Sequence, residues 1–467
     1  MKVLISGGTV VNASGPIEAD VLVEGESIVG LCARTSDLST TWAQSADRVI
    51  DATGQLVIPG GIDGHTHMEM PFGGTQSVDT FETGTRAAAF GGTTTIIDFA
   101  IQTKGRSLRE GLDAWHAKAE GNCAIDYGFH MIVSDVNKQT LQEMNLLVDE
   151  GVPNFKLFMA YPGVFYSTDG EILQAMQQAS KNGSTIMMHA ENGIAMDVLI
   201  AQALERGETD PRYHGLTRPT ILEAEATHRA IQLARVAGAP LYIVHLSAAE
   251  ALQEVTVARD RGQSVFAETC PQYIFLSEDD TASAGFEGAK YVCSPPLRAR
   301  VNQSDLWRGL RTDDLSIVST DHCPFCFKDQ KELGIGNFSK IPNGLPGVED
   351  RVNLIFQGVD RGEISLERWV DVISTTPARM FGLFPKKGVI APSADADIVI
   401  FDPNGSRTIS STTHHMNVDY SAYEGMKVKG KVTMVLSRGS VIIEGDQYVG
   451  TRGAGKFLSR GLNRYLR

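Results

Sequence analysis

The stretch Gly60-Gly61-Ile62-Asp63-Gly64-His65-Thr66-His67 is typical of a short strand that ends in two histidines one residue apart. Side chains on a strand alternate between its two faces, so His65 and His67 point the same way and can share one metal ion. Paired histidines also occur on solvent-exposed faces, and alone this pair does not distinguish the two alternatives. The segments around it decide which one applies.

Apolar strands alternate with amphipathic helices on both sides of this stretch. The candidate strands are 56–67, 93–100, 125–134, 154–161, 184–191, 240–247, 264–270 and 315–321. The clearest helical segments are 110–119, 139–148, 171–179, 223–236 and 250–259, and most of them are followed by a glycine. Repeated strand and helix units of this length predict a parallel sheet. About eight such units predict a closed (β/α)8 TIM-like barrel, whose active site lies at the carboxyl ends of its strands.

The two ends of the chain show a different pattern. Short β-rich pieces, such as 2–5 and 432–436, are separated by turns rich in Gly, Asp and Pro. Because neither end alone could bury both faces of its strands, one smaller β-sandwich built from both ends is predicted. The α/β chain is therefore expected to divide into residues 1–54 of the sandwich, a catalytic barrel over 55–384, and the rest of the sandwich over 385–467.

Composition limits the partners of the protein. The chain has 42 basic and 56 acidic residues and a formal net charge of −14, which disfavours nucleic acid and anionic membrane surfaces as partners. Six cysteines scattered through 467 residues fit a reducing cytoplasm better than a secreted disulfide framework. The apolar run at the amino terminus is too short for a signal-peptide core or a membrane span. We expect a cytoplasmic protein that acts on a small molecule.

Further candidate metal ligands lie where later strands end, and a barrel would bring them to one mouth. They are Lys156, His189, His245 and Asp321. Each has an alternative reading, since a histidine that ends an apolar strand is often a packed core residue and Asp321 could cap the next segment. Their joint occurrence with the first histidine pair predicts a metal site.

Lys156 is an unusual member of this set. An ammonium group within an apolar strand is costly to bury and repels cations. Reaction with carbon dioxide would convert it to N6-carboxylysine, an anion whose two oxygens can bridge two metal ions, and burial favours the neutral amine that reacts. The carbamate, an aspartate and a bridging hydroxide would balance most of the charge of two divalent ions. The alternative is a lysine that extends to the rim of the barrel.

These residues resemble the cyclic amidohydrolases, and within them the family of dihydropyrimidinase and D-hydantoinase, over nearly the whole chain. The resemblance implies two divalent metal ions per subunit, zinc in the first place with manganese or cobalt as alternatives, and carbon dioxide for lysine carboxylation. The implied ligands are His65, His67 and Asp321 for the first metal, His189 and His245 for the second, and carboxylated Lys156 as the bridge.

The resemblance also implies three substrate contacts. The Tyr161 hydroxyl would support the developing oxyanion, Ser294 would hydrogen-bond the substrate amide, and Asn343 would contact the ring from the other side. From the residues alone, Tyr161 would be an aromatic side chain at the rim and the other two would lie on ordinary surface turns.

The neighbourhood of the second histidine favours an uncharged ring. Dihydroorotases carry an arginine two residues after that histidine to bind a substrate carboxylate, whereas this chain has Glu69, which would repel one. Four apolar side chains near the ligands suit a pocket wall for an uncharged cyclic amide, although they could equally be barrel packing. They are Met70, Phe72, Phe158 and Phe165.

The implied activity is that of a binuclear-metal hydrolase, which opens the cyclic amide of dihydropyrimidines, hydantoins or both to an N-carbamoyl amino acid, as in pyrimidine catabolism. A hydroxide that bridges the metals would be the nucleophile. Asp321 would act as general base and then acid, and Tyr161 would support the oxyanion. Alternatives are an allantoinase-like or other cyclic-imide hydrolase, and a non-catalytic scaffold similar to the collapsin-response mediator proteins, which have lost metal ligands that this chain keeps.

Three remaining features are secondary. The segment Cys323-Pro324-Phe325-Cys326 could suggest redox or zinc chemistry, but its place directly after Asp321 favours loop packing and leaves Cys326 without a role. Glu223 and Glu225 are expected to be solvated or to lie at the rim. The family resemblance implies a homotetramer in which the C-terminal stretch, with the arginine-rich segment 452–467, contacts a neighbour.

Overall fold

The computed structural model describes residues 1–463 and contains one parallel sheet and one mixed sheet of comparable size. The strands are β1 (Lys2–Ser6), β2 (Thr9–Asn12), β3 (Gly15–Glu24), β4 (Ser27–Ala33), β5 (Arg48–Asp51), β6 (Leu56–Pro59), β7 (Gly61–Thr66), β8 (Pro71–Phe72), β9 (Thr75–Gln76), β10 (Thr93–Ile101), β11 (Asp126–Ile132), β12 (Asn154–Phe158), β13 (Thr185–His189), β14 (Leu241–Ile243), β15 (Val265–Thr269), β16 (Ile317–Val318), β17 (Ile398–Thr408), β18 (Lys427–Ser437), β19 (Ser440–Glu444) and β20 (Gln447–Tyr448).

The helices lie mostly between the strands of the parallel sheet. They are α1 (Asp37–Ser45), α2 (Phe81–Phe90), α3 (Leu108–Ala119), α4 (Lys138–Asp149), α5 (Asp169–Asn182), α6 (Gly193–Glu205), α7 (Tyr213–Leu216), α8 (Thr220–Ala237), α9 (Ala249–Asp260), α10 (Pro271–Phe275), α11 (Glu278–Thr281), α12 (Val301–Thr312), α13 (Arg351–Asp360), α14 (Leu366–Val370) and α15 (Thr376–Met380). Short 3-10 helices cover Glu287–Tyr291, Lys331–Gly334 and Phe338–Lys340, and a π-helical turn covers Asp371–Thr375. Among the helices of residues 1–463, none has the length and apolarity to cross a bilayer.

Eight strands, β7 and β10 to β16, pair in chain order in one parallel sheet. A parallel bridge between Thr66 and His322 links the end of the first strand to the segment after the last, so the sheet forms a nearly closed barrel. The five helices predicted from periodicity occur as α3, α4, α5, α8 and α9, within three residues at each end. The predicted (β/α)8 barrel is confirmed.

Most barrel strands contribute to two separate apolar cores. In β10, Ile97 and Phe99 point into the barrel, whereas Ile96 and Ala100 pack in the layer beneath the helices. This follows from the two-residue period of a strand that is covered on both faces. Burial of one such large apolar side chain contributes about 1.5–3 kcal/mol. The barrel interior is therefore a packed core below the mouth.

Some strand limits differ from the prediction. The predicted strand 56–67 is two strands, β6 in the mixed sheet and β7 in the barrel. They separate at Gly60, where a side-chain Cβ would lie 2.0 Å from the Thr94 hydroxyl. The sixth and eighth barrel strands end early, because His245 and Asp321 adopt left-handed φ values of 40° and 52° that no strand continues through. The chain thereby turns both side chains toward the mouth.

Ten of the other strands, from both ends of the chain, form one sheet, and β8 and β9 pair with each other. β6 and β17 join the two ends in antiparallel pairing, with Ile398 opposite Pro59. The sheet curls around its own apolar core, which includes Val3, Val21 and Leu436. The predicted β-sandwich built from both ends is confirmed in this continuous, curled form.

The described end of the chain packs on its own barrel. Leu458 donates a backbone hydrogen bond to Tyr127 at 2.7 Å. The buried Arg460 side chain donates to Asn154 Oδ1 at 2.6 Å and to the Phe129 carbonyl, and burial lowers the pKa of its guanidinium to about 9. Arg460 is thus not available to a neighbouring subunit, contrary to that part of the expectation for 452–467. Residues 464–467 of that segment lie outside the described residues.

Candidate metal centre and active site

All six predicted metal ligands converge at the carboxyl end of the barrel. His65 lies in β7, Lys156 in β12 and His189 at the end of β13, and the other three follow the ends of their strands. The relative exposures are 0% for His65, 5% for His67, 1% for Lys156, 2% for His189, 2% for His245 and 9% for Asp321. Lys156 does not extend to the rim, which removes the alternative considered from the sequence.

The first group of ligands surrounds a common point. The Nε2 atoms of His65 and His67 lie 3.2 Å apart, and Asp321 Oδ1 lies 3.2 Å from each of them. Lys156 Nζ lies 2.9 Å from His65 Nε2. Two imidazoles, one carboxylate and one amine thus direct their polar atoms into the same small volume.

The second group adjoins the first. His189 Nδ1 lies 2.9 Å from His245 Nε2. Ligand atoms of His65, His245 and Asp321 all lie within 4.8 Å of one another, which makes this trio the one cluster within residues 1–463 with the spacing of a metal site. The two groups are therefore close enough to share a bridging ligand, and Lys156 contacts the first of them.

Two buried glutamates that were not singled out from the sequence orient these histidines. Glu268 Oε1 accepts from His65 Nδ1 at 2.5 Å, and Glu191 Oε2 accepts from His189 Nε2 at 2.8 Å. Each contact leaves the other ring nitrogen, Nε2 of His65 and Nδ1 of His189, facing the cluster. The sequence could have indicated both glutamates, because each is an acidic residue at or just beyond the carboxyl end of an apolar barrel strand.

The electrostatics of the cluster suit metal ligation. Burial lowers the pKa values of His65, His67 and His245, and the charge of Lys156 adds to the shift at His65. Burial raises the pKa of Asp321, but the neighbouring His65, His67 and Lys156 outweigh it and bring the value down to about 2. Neutral imidazoles and an ionised carboxylate are the forms that bind divalent ions.

Burial also changes the chemistry of the lysine. It lowers the pKa of Lys156 to about 8, so a substantial fraction of the side chain is the neutral amine near neutral pH. The amine is also close to aromatic rings, 4.3 Å from the ring centroid of Phe99 and 5.0 Å from that of Phe158. The donor set of four imidazoles, a carboxylate and a reactive amine therefore fits a pair of zinc, manganese or cobalt ions.

A cavity opens directly above the cluster. It is lined by His67, Met70, Phe72, Lys156, Phe158, Tyr161, Phe165, His189, His245, Ser294, Asp321, Cys323, Asn343 and Gly344. Every residue predicted as a substrate contact or as part of an apolar wall is in this set. Asn343 Nδ2 donates to Ser294 Oγ at 3.1 Å, so these two polar side chains from two separate loops form one pair on the cavity wall, and both also hydrogen-bond to the Tyr161 side chain.

The aromatic residues of the cavity pack on one another. The ring of Phe165 stacks on Phe158 at 5.0 Å between centroids, and Phe72 meets the Tyr161 ring edge-on at 5.3 Å. Burial raises the pKa of the Tyr161 hydroxyl, and the charge of Glu191 adds to this effect. The hydroxyl therefore stays protonated and is able to donate a hydrogen bond. These aromatic side chains therefore both line the cavity and pack in the barrel interior.

The backbone around the mouth is conformationally strained. Among non-glycine residues, Glu69, Tyr161, His245 and Asp321 have φ values between 40° and 60°, in the left-handed region. Such a residue costs on the order of 1–3 kcal/mol and persists where its surroundings hold it. Strain of this kind concentrates at functional sites.

Glu69 and Glu223 differ from their predicted environments. Glu69 does not line the cavity, because its carboxylate accepts from the Phe81 N–H at the start of α2 at 3.3 Å, so it offers no direct repulsion to a substrate carboxylate. Glu223 is buried and not solvated, and accepts from Arg298 at 2.7 Å and from the Ser247 hydroxyl at 2.6 Å. Glu225 is exposed, as predicted.

The cysteine pair packs within a loop, as predicted. Cys323 is buried and lines the cavity, whereas Cys326 is half-buried and its N–H donates to Gln330 at 2.6 Å. All six cysteines are free thiols. The structure gives Cys326 no role beyond that packing.

Comparison with known proteins relates this chain to the amidohydrolases. The amidohydrolase family model matches residues 56–442. The D-hydantoinase of Streptomyces coelicolor is 65% identical over 465 residues, 100% of this chain and 99% of that protein, and the D-hydantoinase of Geobacillus stearothermophilus is 50% identical over 98% and 97% of the two chains. Among solved structures, dihydropyrimidinase from Brevibacillus agri NCHU1002 has a TM-score of 0.96 at 50% identity and covers 99% of both chains.

Proposed function

The chain belongs to the amidohydrolase family, and from that premise we propose that it hydrolyses the cyclic amide of hydantoins and dihydropyrimidines to N-carbamoyl amino acids. The observation that carries the proposal is the convergence of six buried ligand-type side chains beneath an aromatic cavity that also contains Tyr161, Ser294 and Asn343. The identity to the two D-hydantoinases supports this ring chemistry and a preference for D-configured substrates.

We propose that two divalent ions bind in the cluster, with zinc as the first choice and manganese or cobalt as alternatives. His65, His67 and Asp321 would hold one ion and His189 and His245 the other, and Lys156, once carboxylated by carbon dioxide, would supply a ligand shared by both. Ions of this kind lower the pKa of bound water and so supply hydroxide at neutral pH.

Asp321 is the proposed proton carrier. Its Oδ1 faces both histidines of the first group, and Oδ2 would take a proton from the attacking water and deliver it to the departing ring nitrogen. Tyr161 is placed on the cavity side and, with its raised pKa, donates a hydrogen bond to the oxyanion that forms on the attacked carbonyl. Base and oxyanion donor thus flank the same reacting carbon.

The polar side chains next to the Tyr161 hydroxyl would hold the rest of the ring. Ser294 and Asn343 offer a hydroxyl and an amide to the ring's own amide group, and the aromatic side chains give an apolar face to an uncharged ring and its substituent. This combination favours a planar cyclic amide with an apolar side group over a charged substrate.

Assembly as a cytoplasmic homotetramer is part of the proposal. On α6, Ile194 and Val198 lie one turn apart and are 52% and 54% exposed, and apolar side chains on one helix face are typical of contacts between subunits. Light scattering of the purified protein tests this point, with a mass of four chains expected and a monomer contradicting it.

A substrate panel tests the proposed function. Metal-reconstituted protein is assayed with dihydrouracil, with D- and L-5-substituted hydantoins, with allantoin and with dihydroorotate, and the N-carbamoyl products are quantified. We expect ring opening of dihydrouracil and of the D-hydantoins. Protein that binds two metals per chain but opens neither ring would contradict the proposal, and exclusive turnover of allantoin would redirect it.

A further inference from the structure

One buried lysine lies behind the two loops of the proposed substrate site. Lys331, on the 3-10 helix Lys331–Gly334, is fully buried. Its Nζ donates to three backbone carbonyl oxygens, those of Val292 at 2.9 Å, Pro342 at 2.7 Å and Gly344 at 2.8 Å. Three acceptors match the three N–H donors of an ammonium group.

These carbonyls flank the two polar side chains of the cavity. Val292 precedes Ser294 by two residues, and the other two carbonyls belong to the residues on either side of Asn343. The loops also contact each other directly, since the Gly344 N–H donates to the Val292 carbonyl at 3.0 Å. Lys331 therefore joins the backbones of both loops immediately next to the Ser294–Asn343 pair.

The buried amine of Lys331 is paired with backbone carbonyls rather than with a carboxylate. No carboxylate within residues 1–463 hydrogen-bonds to its amine, and burial lowers its pKa to about 7. Removal of an ammonium group from water is costly, and an apolar side chain of similar length would avoid that cost but would deprive three buried carbonyl oxygens of this donor. The three hydrogen bonds of the amine also fix the two loops relative to one another.

We propose that Lys331 is a positioning residue, whose three carbonyl contacts hold Ser294 and Asn343 at the spacing at which both meet the same substrate ring. The inference rests on the proposed function, because it takes these two side chains as substrate contacts. Lys331 itself does not line the cavity, so it acts on the substrate only through the two loops.

Kinetics of Lys331→Met provide the first test, since methionine keeps the length and removes the donors. We expect the KM for dihydrouracil to rise about 10-fold or more with kcat changed less than about 3-fold, because loss of uniform binding acts on KM. In a double-mutant cycle with Asn343→Ala, the effects on kcat/KM should be less than additive. An unchanged KM, or full additivity, would overturn the proposal.

Two further variants separate positioning from stability. Gln357→Met is the matched control, because the buried Gln357 amide also donates to two backbone carbonyls, those of Asn353 and Lys429, but far from the cavity. It should lower the melting temperature and leave KM unchanged. Lys331→Gln keeps two donors and should give an intermediate KM. If Lys331→Met does not fold, Lys331→Gln provides the test instead. A wild-type KM in Lys331→Gln would contradict the proposal.

Hydrogen exchange measures the local opening of the two loops independently of enzymatic activity. Backbone amides of residues 292–294 and 343–345 should exchange about 10-fold faster or more in Lys331→Met, and at the wild-type rate in Gln357→Met, with metal content unchanged in both. Unchanged exchange in the two loops would refute the positioning role. A wild-type protein inactive on every ring would refute the proposed function instead, and exchange would still decide whether Lys331 holds the loops together.

Discussion

Glu268 Oε1 lies 2.5 Å from Nδ1 of His65, and the same carboxylate accepts the Tyr242 hydroxyl at 2.8 Å through Oε2. A carboxylate behind a ligating imidazole fixes its tautomer and orientation and raises its basicity. The Nε2 atom of His65 is thereby held toward the cluster before any ion binds. Glu268 thus orients a proposed metal ligand without being a ligand itself.

Replacement of that carboxylate should weaken metal binding. Glu268→Gln is expected to reduce the affinity for the first metal by about 10- to 100-fold, measured by chelator competition and elemental analysis. Glu349→Gln is the matched control, because Glu349 accepts from Nδ1 of His415 at 3.0 Å away from the cluster. Equal metal affinity in the two variants would remove Glu268 from the site.

Asp321→Asn tests the proton carrier. The amide keeps an oxygen for the metal but cannot accept the proton, so kcat should fall by about 10³-fold or more while the fold is retained. Product formation in single-turnover assays and metal content per chain are the measurements. Turnover within about 10-fold of wild type, with both metals bound, would assign the proton transfer to another group.

Tyr161→Phe tests the oxyanion donor. Because the hydroxyl is expected to interact with charge that appears only in the transition state, kcat should fall by about 10²- to 10³-fold with little change in KM. Tyr166→Phe, five residues further along the same loop, should leave both parameters near wild type. A comparable loss in the two variants would indicate a general effect on the loop.

Phe72→Ala tests whether the aromatic wall contacts the substrate. Phe72 is half-buried and its ring lies 6.4 Å from that of Phe165, so its removal opens the wall without emptying the core. The kcat/KM for a phenyl-substituted hydantoin should fall about 10-fold, and that for dihydrouracil less than about 3-fold. Val164→Ala, at an exposed position nearby, is the control. Equal losses on both substrates would favour barrel packing as the role of Phe72.

The fold and the convergence of the ligand-type residues could be predicted because both follow local rules. Strand and helix periods repeat along the chain, and a parallel barrel brings every strand end to one mouth, so His65 and Asp321 meet although 256 residues separate them. The early ends of β14 and β16 could not be foreseen, since left-handed φ values are uncommon for any non-glycine residue and no local pattern marks His245 and Asp321 for them.

The supporting contacts could not be predicted, because they join distant segments through single side chains. Lys331 carries no pattern that directs it to Val292, 39 residues earlier. Nor does the sequence around Glu223 reveal the buried Arg298 that pairs with it. Charged residues of this kind look like surface residues until the packing of the whole barrel encloses them.

The central claim is that Lys156, converted to an acid, joins two metal ions. A crystal structure of protein produced with bicarbonate and zinc, with anomalous scattering recorded at the zinc edge, tests it most directly. We predict two anomalous peaks roughly 3.5 to 4 Å apart, with additional density for a carboxyl group on Lys156 Nζ between them. A bare lysine beside a single peak, or beside none, would contradict the account.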